Sequence, residues 1–84
     1  MNKRKALLTF EWDAKNEVLE VHANNEGLEQ LSNIINCLVK KNGNDHVHLM
    51  TNLWGGDELS DKKQSFENEL VNHVKIFKWA DERQ

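Results

Sequence analysis

The chain has 84 residues, of which 38% are hydrophobic and 30% are charged, and its formal net charge is −3. Length and composition predict one domain, residues 1–84, because a second independent core does not fit into so short a chain. The composition excludes collagen, low-complexity chains and strongly charged disordered tails. The weakly acidic charge provides no global positive field that would hold a nucleic acid backbone.

Cysteine content and hydropathy bear on the compartment. Cys37 is the single cysteine, so neither an internal disulfide nor a cysteine zinc cluster can form. A small domain without disulfides favours a reducing compartment. No segment approaches the roughly 20 apolar residues that span a bilayer. The sequence therefore predicts a soluble, cytoplasmic protein that does not bind membranes.

The first predicted elements form a β-hairpin. Residues 6–12 alternate apolar side chains at period two, which is typical of a strand with one buried face. Residues 13–16 are polar and of hairpin length, with Asn16 suited to a left-handed conformation. Residues 17–23 are predicted to be the return strand.

A helix is predicted next, with Asn24 or Asn25 as its N-cap and the Asn42-Gly43 pair as its C-terminal stop. Its apolar residues recur at helical spacing and cover an arc of roughly 140°, wide enough to cover a sheet face. These residues are Leu28, Leu31, Ile34, Ile35, Leu38 and Val39.

The second half is predicted to add two strands, residues 45–51 and 70–79, separated by an interruption at Trp54-Gly55-Gly56 and a polar loop over residues 57–69. The order β-β-α-β-β predicts an α+β two-layer sandwich, in which one helix packs on a four-stranded sheet. The order of the strands within the sheet stays open.

One helix covers one face of a sheet, so the composition of the other face matters. That face is predicted to carry many aromatic and imidazole side chains: Val18, His22, His46, His48, Met50, His73, Phe77 and Trp79. An exposed patch of this kind is typical of a binding surface or a dimer interface. The alternative is that the loop at Trp54 folds back and covers it.

His46 and His48 offer a possible metal site. Two residues apart on one strand, their side chains point the same way at about 6.5–7 Å. This pair could chelate zinc if His22, His73 or a loop carboxylate supplied a third ligand. Histidines in strands more often hydrogen-bond to a neighbour, so a metal-binding domain or small metalloenzyme is an alternative interpretation.

Neither a catalytic nor a cofactor-binding motif is present in the sequence. Cys37 lies inside the predicted helix, away from the N-terminal end that would lower the pKa of its thiol. No phosphate-binding loop or dinucleotide fingerprint occurs. The acidic stretch over residues 57–69 would suit a basic protein partner and repel nucleic acid, or it is a solvated loop. We therefore predict a protein that is not an enzyme and has no cofactor.

Three segments of the second half form a recognisable pattern. They are residues 46–51 (HVHLMT), 54–60 (WGGDELS) and 70–76 (LVNHVKI). They resemble immunity protein family 32 of bacterial polymorphic toxin systems, in which an H-L-M-T strand leads into W-G-G-x-E-L-S and a later N-H-V-K-I strand. The resemblance covers the second half in motif and the whole chain in length and layout.

The resemblance implies a small cytoplasmic α+β protein that binds and neutralises a cognate toxin. The positions that match the motifs are His46, His48, Trp54, Gly55, Gly56, Glu58 and His73. These positions either contact the toxin or maintain the fold. In the second case the Trp54-Gly55-Gly56 run is a structural corner.

The contact surface is predicted to be the loop at Trp54 together with the acidic segment that follows it. The residues assigned to it are Trp54, Gly55, Gly56, Asp57, Glu58, Asp61, His46, His48 and His73. A second alternative to an immunity protein is a homodimeric module that pairs its open sheet faces through Phe77, Trp79 and Met50.

Overall fold

A computed structural model describes residues 5–80. It contains five strands, one α-helix and one 3-10 turn in the order β1 (Leu8–Asp13), β2 (Val18–Ala23), α1 (Asn25–Val39), β3 (Asp45–Met50), the turn (Asn52–Trp54), β4 (Glu69–Val71) and β5 (His73–Lys78). Within this part of the chain, no helix is long and apolar enough to cross a membrane. The protein is α+β, as the sequence predicts.

The expected single four-stranded sheet is wrong. The strands form a three-stranded sheet in the order β2-β1-β4 and a two-stranded sheet of β3 and β5, and every ladder is antiparallel. The predicted strand 70–79 is divided at Asn72, where the chain changes partner from β1 to β3. The Thr51 N–H donates to the Asn72 carbonyl at 3.1 Å, and the Thr51 hydroxyl donates to Asn72 Oδ1 at 2.7 Å. Asn72 therefore bonds to Thr51 where the ladder breaks.

The hairpin turn also differs in detail from the prediction. Glu17, not Asn16, has the left-handed conformation, with φ of 56°. Asn16 instead donates from its backbone and side chain to the Asp13 carboxylate, at 3.2 and 2.9 Å. These bonds hold the pKa of Asp13 below its usual range. Asn16 thus stabilises the turn through hydrogen bonds, and the residue with positive φ is Glu17.

The helix begins where the sequence predicts. Asn24 is the N-cap, and its side-chain oxygen accepts from the Gly27 N–H at 2.8 Å and from the Leu7 N–H at 2.9 Å. The first turn lies against β1, because a Cβ added to Gly27 would stand 1.8 Å from the Leu7 carbonyl oxygen. The core-facing stripe is narrower than predicted: Leu31, Ile34 and Leu38 point inward, whereas Leu28, Ile35 and Val39 are exposed.

The hydrophobic core is built around four buried side chains, Leu8, Phe10, Leu49 and Leu59. Leu59 belongs to the segment that the sequence predicts to be a polar loop. It is held between the sheets because its N–H donates to the Met50 carbonyl at 3.2 Å, and the next N–H, that of Ser60, donates to the Leu8 carbonyl at 2.8 Å. The loop therefore completes the core between β1 and β3.

Candidate partner-binding site

Six ring-bearing side chains form a continuous row on the face of the β3–β5 sheet that points away from the core. We call this row the ring ladder; in spatial order it contains Trp54, His73, His48, His46, Phe77 and Trp79. Successive ring centroids lie 6.2, 5.1, 4.9, 5.3 and 6.0 Å apart, within the range of aromatic contacts. The structure thus confirms that His46, His48, His73 and Phe77 share one face.

The alternation of strand side chains produces the ring ladder. In the antiparallel register, His46 lies opposite Phe77 and Met50 lies opposite His73. Side chains of directly opposed residues point to the same face, and successive residues point to opposite faces. The intervening residues therefore face the core, and they are Val47, Leu49, Val74 and Ile76.

The rings at both ends of the ladder are strongly exposed. The exposed fraction is 58% for Trp54, 49% for Phe77 and 52% for Trp79, and His46 and His48 are also exposed. Tryptophan and other aromatic side chains dominate the binding energy of protein interfaces. An exposed row of this kind is therefore a candidate surface for a protein partner.

The histidines at the centre of the ladder are coupled to each other. His48 Nδ1 lies 2.8 Å from His73 Nε2, so one ring must donate and the other must accept. Desolvation among the rings lowers the pKa of His48, and the charges that His46, His73 and Lys75 can carry lower it further. The geometry therefore favours a neutral imidazole at His48.

The histidines do not gather the three ligands that a metal site needs. Residues 5–80 contain no group of three or more His, Cys, Asp or Glu side chains that could hold a metal ion. His22, the first of the predicted third ligands, lies on the other sheet and contacts Glu20 at 2.8 Å. His73 is close, but its ring nitrogen bonds to His48. The structure thus gives no support to the metal-site alternative.

The Trp54-Gly55-Gly56 run forms a tight corner after β3. Gly55 ends the 3-10 turn in the left-handed region, with φ of 91°. A Cβ added to Gly56 would stand 2.6 Å from the Met50 carbonyl oxygen, so only glycine fits there without displacing backbone. The corner places the Trp54 ring against His73, at one end of the ring ladder.

The predicted acidic residues divide into two groups. Glu58 is half-buried, and its carboxylate accepts from the Met50 N–H at 3.0 Å. Its carbonyl accepts from the Gln30 side chain at 2.7 Å, which connects the loop to α1. Asp57 and Asp61 are exposed. Glu58 thus fastens the corner to its surroundings, and the two aspartates remain available to a partner.

The buried carboxylate of Glu11 is a feature that was not predicted from the sequence. This side chain is 0% exposed. It lies on one face of the β2-β1-β4 sheet, and Phe10, the preceding residue, lies on the other face. It accepts hydrogen bonds from the Gln64 N–H (2.7 Å), the Ser65 N–H (3.1 Å), the Thr9 hydroxyl (2.7 Å) and Asn68 Nδ2 (3.2 Å). The sequence feature that could have indicated this buried group is a charged residue in the middle of an apolar strand.

The hydrogen bonds to Glu11 decide its charge. Burial by itself raises the pKa of the carboxyl group, but the four donors outweigh burial and bring the pKa down to about 2. The carboxylate is therefore ionised at neutral pH and binds loop residues 64–68 to the sheet. The loop that the sequence predicts as solvated thus covers this sheet, whereas residues 5–80 leave the ring ladder exposed.

Comparison with known proteins identifies the family. The sequence model described as Immunity protein 32 matches residues 18–74, which is more than half of the chain. The chain belongs to the immunity protein 32 family. No curated protein and no solved structure matches it.

The match to the immunity protein 32 family extends from the start of β2 into β5. It includes His46, His48, Trp54 and His73 of the ring ladder, together with the corner at Gly55 and Gly56. It ends before Phe77 and Trp79 and begins after β1, which carries Glu11. The four ladder residues within the matched region are contributed by β3, by the corner after it and by the start of β5.

Proposed function

We propose that this chain is a non-enzymatic, cytoplasmic immunity protein that binds and neutralises a cognate toxin domain. Membership of the immunity protein 32 family supports a role in immunity. Inhibition by occlusion requires a surface with anchoring side chains and no catalytic residues. The ring ladder is the observation that carries the proposal, because it is an exposed aromatic surface.

We infer that the toxin covers the end of the ladder formed by Trp54, His73 and His48, and reaches His46. Trp54 projects from a corner that Gly55, Gly56 and Glu58 hold in place. In this proposal the two glycines and Glu58 act mainly by positioning Trp54, and the ring supplies the contact. An anchor held on a rigid corner loses little conformational entropy on binding.

Charge is the second part of the proposal. Asp57 and Asp61 are exposed beside the corner. Carboxylates at the rim of an interface accelerate association with a basic partner, and salt screens this effect. We therefore propose a toxin surface that is basic next to an apolar pocket for Trp54.

The test uses the toxin domain encoded by the gene next to this one, because immunity genes lie beside their toxin genes. Affinity for the purified chain is measured by calorimetry. Trp54→Ala is expected to weaken binding by about 30-fold or more, as truncation of an interface anchor does. Leu53→Ala is the matched control, because Leu53 lies in the same turn and is also strongly exposed, at 69% against 58% for Trp54, but lies outside the ladder.

The charge component is tested separately with the double variant Asp57→Lys, Asp61→Lys. Its association rate is expected to fall, and the dependence of that rate on salt is expected to weaken. An unchanged association rate with unchanged salt dependence would contradict the acidic contact but would leave the contact at Trp54 untouched. Binding that survives Trp54→Ala and Phe77→Ala in one chain would contradict the ladder as the contact surface.

A further inference from the structure

The outer edge of β2 is open. β2 lies at the end of the β2-β1-β4 sheet and has one neighbour among the residues that the structure describes. Alternate backbone N–H and C=O groups of an edge strand point outward and can pair with another strand. The ladder with β1 runs without a bulge from Leu8 opposite Ala23 to Asp13 opposite Val18. This edge is therefore straight enough to accept a further strand.

Natural edge strands usually carry features that prevent such pairing, including lysine, proline or a bulge. The sequence of β2 is VLEVHA, without lysine or proline. Val18, Leu19 and Val21 are 44%, 55% and 46% exposed. The strand thus combines an edge that lacks lysine, proline and a bulge with exposed β-branched and apolar side chains, and Glu20 is its one acidic residue.

We propose that β2 pairs antiparallel with β2 of a second copy of this chain, about a two-fold axis at Val21. In this register Val21 lies opposite Val21 of the second copy. Leu19 lies opposite Ala23 on the same face, and Glu20 lies opposite His22 on the other face. Residues 19–23 each meet one of compatible chemistry, which is the condition for a two-fold symmetric interface.

Charge complementarity supports a second copy as the occupant. Within one chain, His22 Nε2 lies 2.8 Å from a Glu20 oxygen, and the two side chains are each 33% exposed. Pairing about Val21 brings a second carboxylate and a second imidazole beside them in alternating order. Carboxylate and imidazole groups then alternate across the axis, and in each copy Glu20 also accepts from Asn68 Nδ2 at 2.9 Å.

The helix supports the same register. The first turn of α1 lies over the end of β2, since a Cβ added to Gly27 would stand 3.3 Å from the Ala23 Cβ. Leu28 follows in that turn and is exposed. In the proposed register Leu19 of the second copy, which is 55% exposed in the single chain, lies opposite Ala23 and therefore next to this turn.

The dimer leaves the ring ladder free. The ladder lies on the β3–β5 sheet, whereas the proposed interface uses the far edge of the other sheet. A dimer of this kind presents two toxin-binding surfaces. The proposal therefore stands or falls independently of the proposed function.

The first experiment is sedimentation velocity of the full chain from about 1 µM to about 500 µM, because a single pair of strands buries less than a standard interface of about 1,600 Å². A concentration-dependent dimer is expected. Val21→Lys places two like charges directly opposite each other, so the dissociation constant is expected to rise at least about tenfold. Val39→Lys is the control, because it makes the same substitution at an exposed position on α1, and it is expected to leave the dissociation constant unchanged.

The second experiment tests the register even if Val21→Lys disturbs folding. In a Cys37→Ser background, Val21→Cys is expected to form an intermolecular disulfide under mild oxidation. Opposed residues of antiparallel strands have Cα atoms about 4.5–5.5 Å apart, which suits a disulfide. Val39→Cys in the same background is the control and is expected to stay monomeric on a denaturing gel.

Several outcomes would overturn the proposal. These are a monomer at the highest concentration, a dimer that Val21→Lys leaves intact, and equal cross-linking of the Val21→Cys and Val39→Cys chains. If Val21→Lys weakened toxin binding while the free protein stayed monomeric, the edge would belong to a strand of the toxin. In that case the dimer is wrong and the proposed function stands.

Discussion

Each of the two sheets has a face that points away from α1, and these two outer faces differ in composition and in exposure. The outer face of the β2-β1-β4 sheet carries Glu11, which is fully buried beneath loop residues 64–68 and holds four hydrogen bonds. The outer face of the β3–β5 sheet carries the ring ladder, which the described part of the chain leaves exposed. One face is closed by the chain's own backbone, and the other is left for a partner.

The difference shows how a short chain separates stability from binding. A buried carboxylate that accepts from two backbone N–H groups of the loop holds the loop in place, because displacing the loop would leave the buried charge without those donors. The half-exposed rings of the ladder contribute less to folding, since much of their surface stays in water. Substitutions on the two faces are therefore expected to have opposite consequences: loss of stability on one, loss of binding on the other.

Among substitutions on the two outer sheet faces, the largest effect is expected from Glu11→Ala. The variant removes the acceptor of four donors, and the free energy of unfolding is expected to fall by about 3 kcal/mol. Urea denaturation measures it, and protease cleavage within residues 61–68 is expected to accelerate. Glu67→Ala, an exposed change in the same loop, is the control. Equal unfolding free energies for the two variants would show that Glu11 does not hold the loop.

Acid is expected to act through the same group. The pKa of Glu11 is lowered from 4.5 to about 2 in the folded protein, so the ionised form stabilises the fold above pH 4.5. This contribution, about 3 kcal/mol, is lost as the pH falls from 4.5 towards 2. Urea denaturation at several pH values tests this, and Glu11→Gln is expected to flatten the profile in that window. If Glu11→Gln left the dependence of stability on pH unchanged, the acid sensitivity would come from other titrating groups.

Truncation in the ladder is expected to cost little stability. Phe77→Ala is expected to lower the free energy of unfolding by about 1 kcal/mol or less, because half of the ring is already exposed. Phe10→Ala is the matched change in the core and is expected to cost about 3 kcal/mol or more. Thermal or urea denaturation compares them. Similar losses would mean that the ladder is part of the folding core, which would remove the distinction between the two faces.

The smallest effect is expected in the titration of the ladder. The pKa of His48 lies below its ordinary 6.5. Above pH 6.5 the ring is neutral in both the folded and the unfolded chain, so this group costs stability only as the pH falls from 6.5 through the folded-state pKa. Imidazole resonances followed by NMR measure the midpoint. His73→Asn removes one neighbouring charge and is expected to raise the pKa of His48. A midpoint at or above 6.5 in the unmodified protein would contradict the ladder geometry.

Periodicity in the sequence predicts the local elements well. The alternation in residues 45–51 places Val47 and Leu49 inward and His46 and His48 outward, as observed. Asn24 caps the helix because its side chain suits that position in isolation. These features depend on neighbours within a few residues, so local patterns contain the information.

The division at Asn72 and the burial of Glu11 depend on contacts that local patterns do not contain. Three of the four donors to Glu11 come from residues that lie 53, 54 and 57 positions further along the chain. In the sequence it is a charge that interrupts an apolar strand, and only the returning loop makes burial favourable. Leu59 is similar, because its neighbours in the sequence are polar and its packing partners, Leu8 and Leu49, come from two different strands.

The central position of β1 has a consequence for synthesis. Phe10 pairs with Val21 on one side and with Val71 on the other. On the ribosome the first partner follows after about ten residues, whereas the second follows after about sixty, and such distant pairings form late. The nascent chain therefore carries an open edge on its central strand until residues 69–71 emerge. A stall before that point would leave this edge free to pair with another unfinished chain.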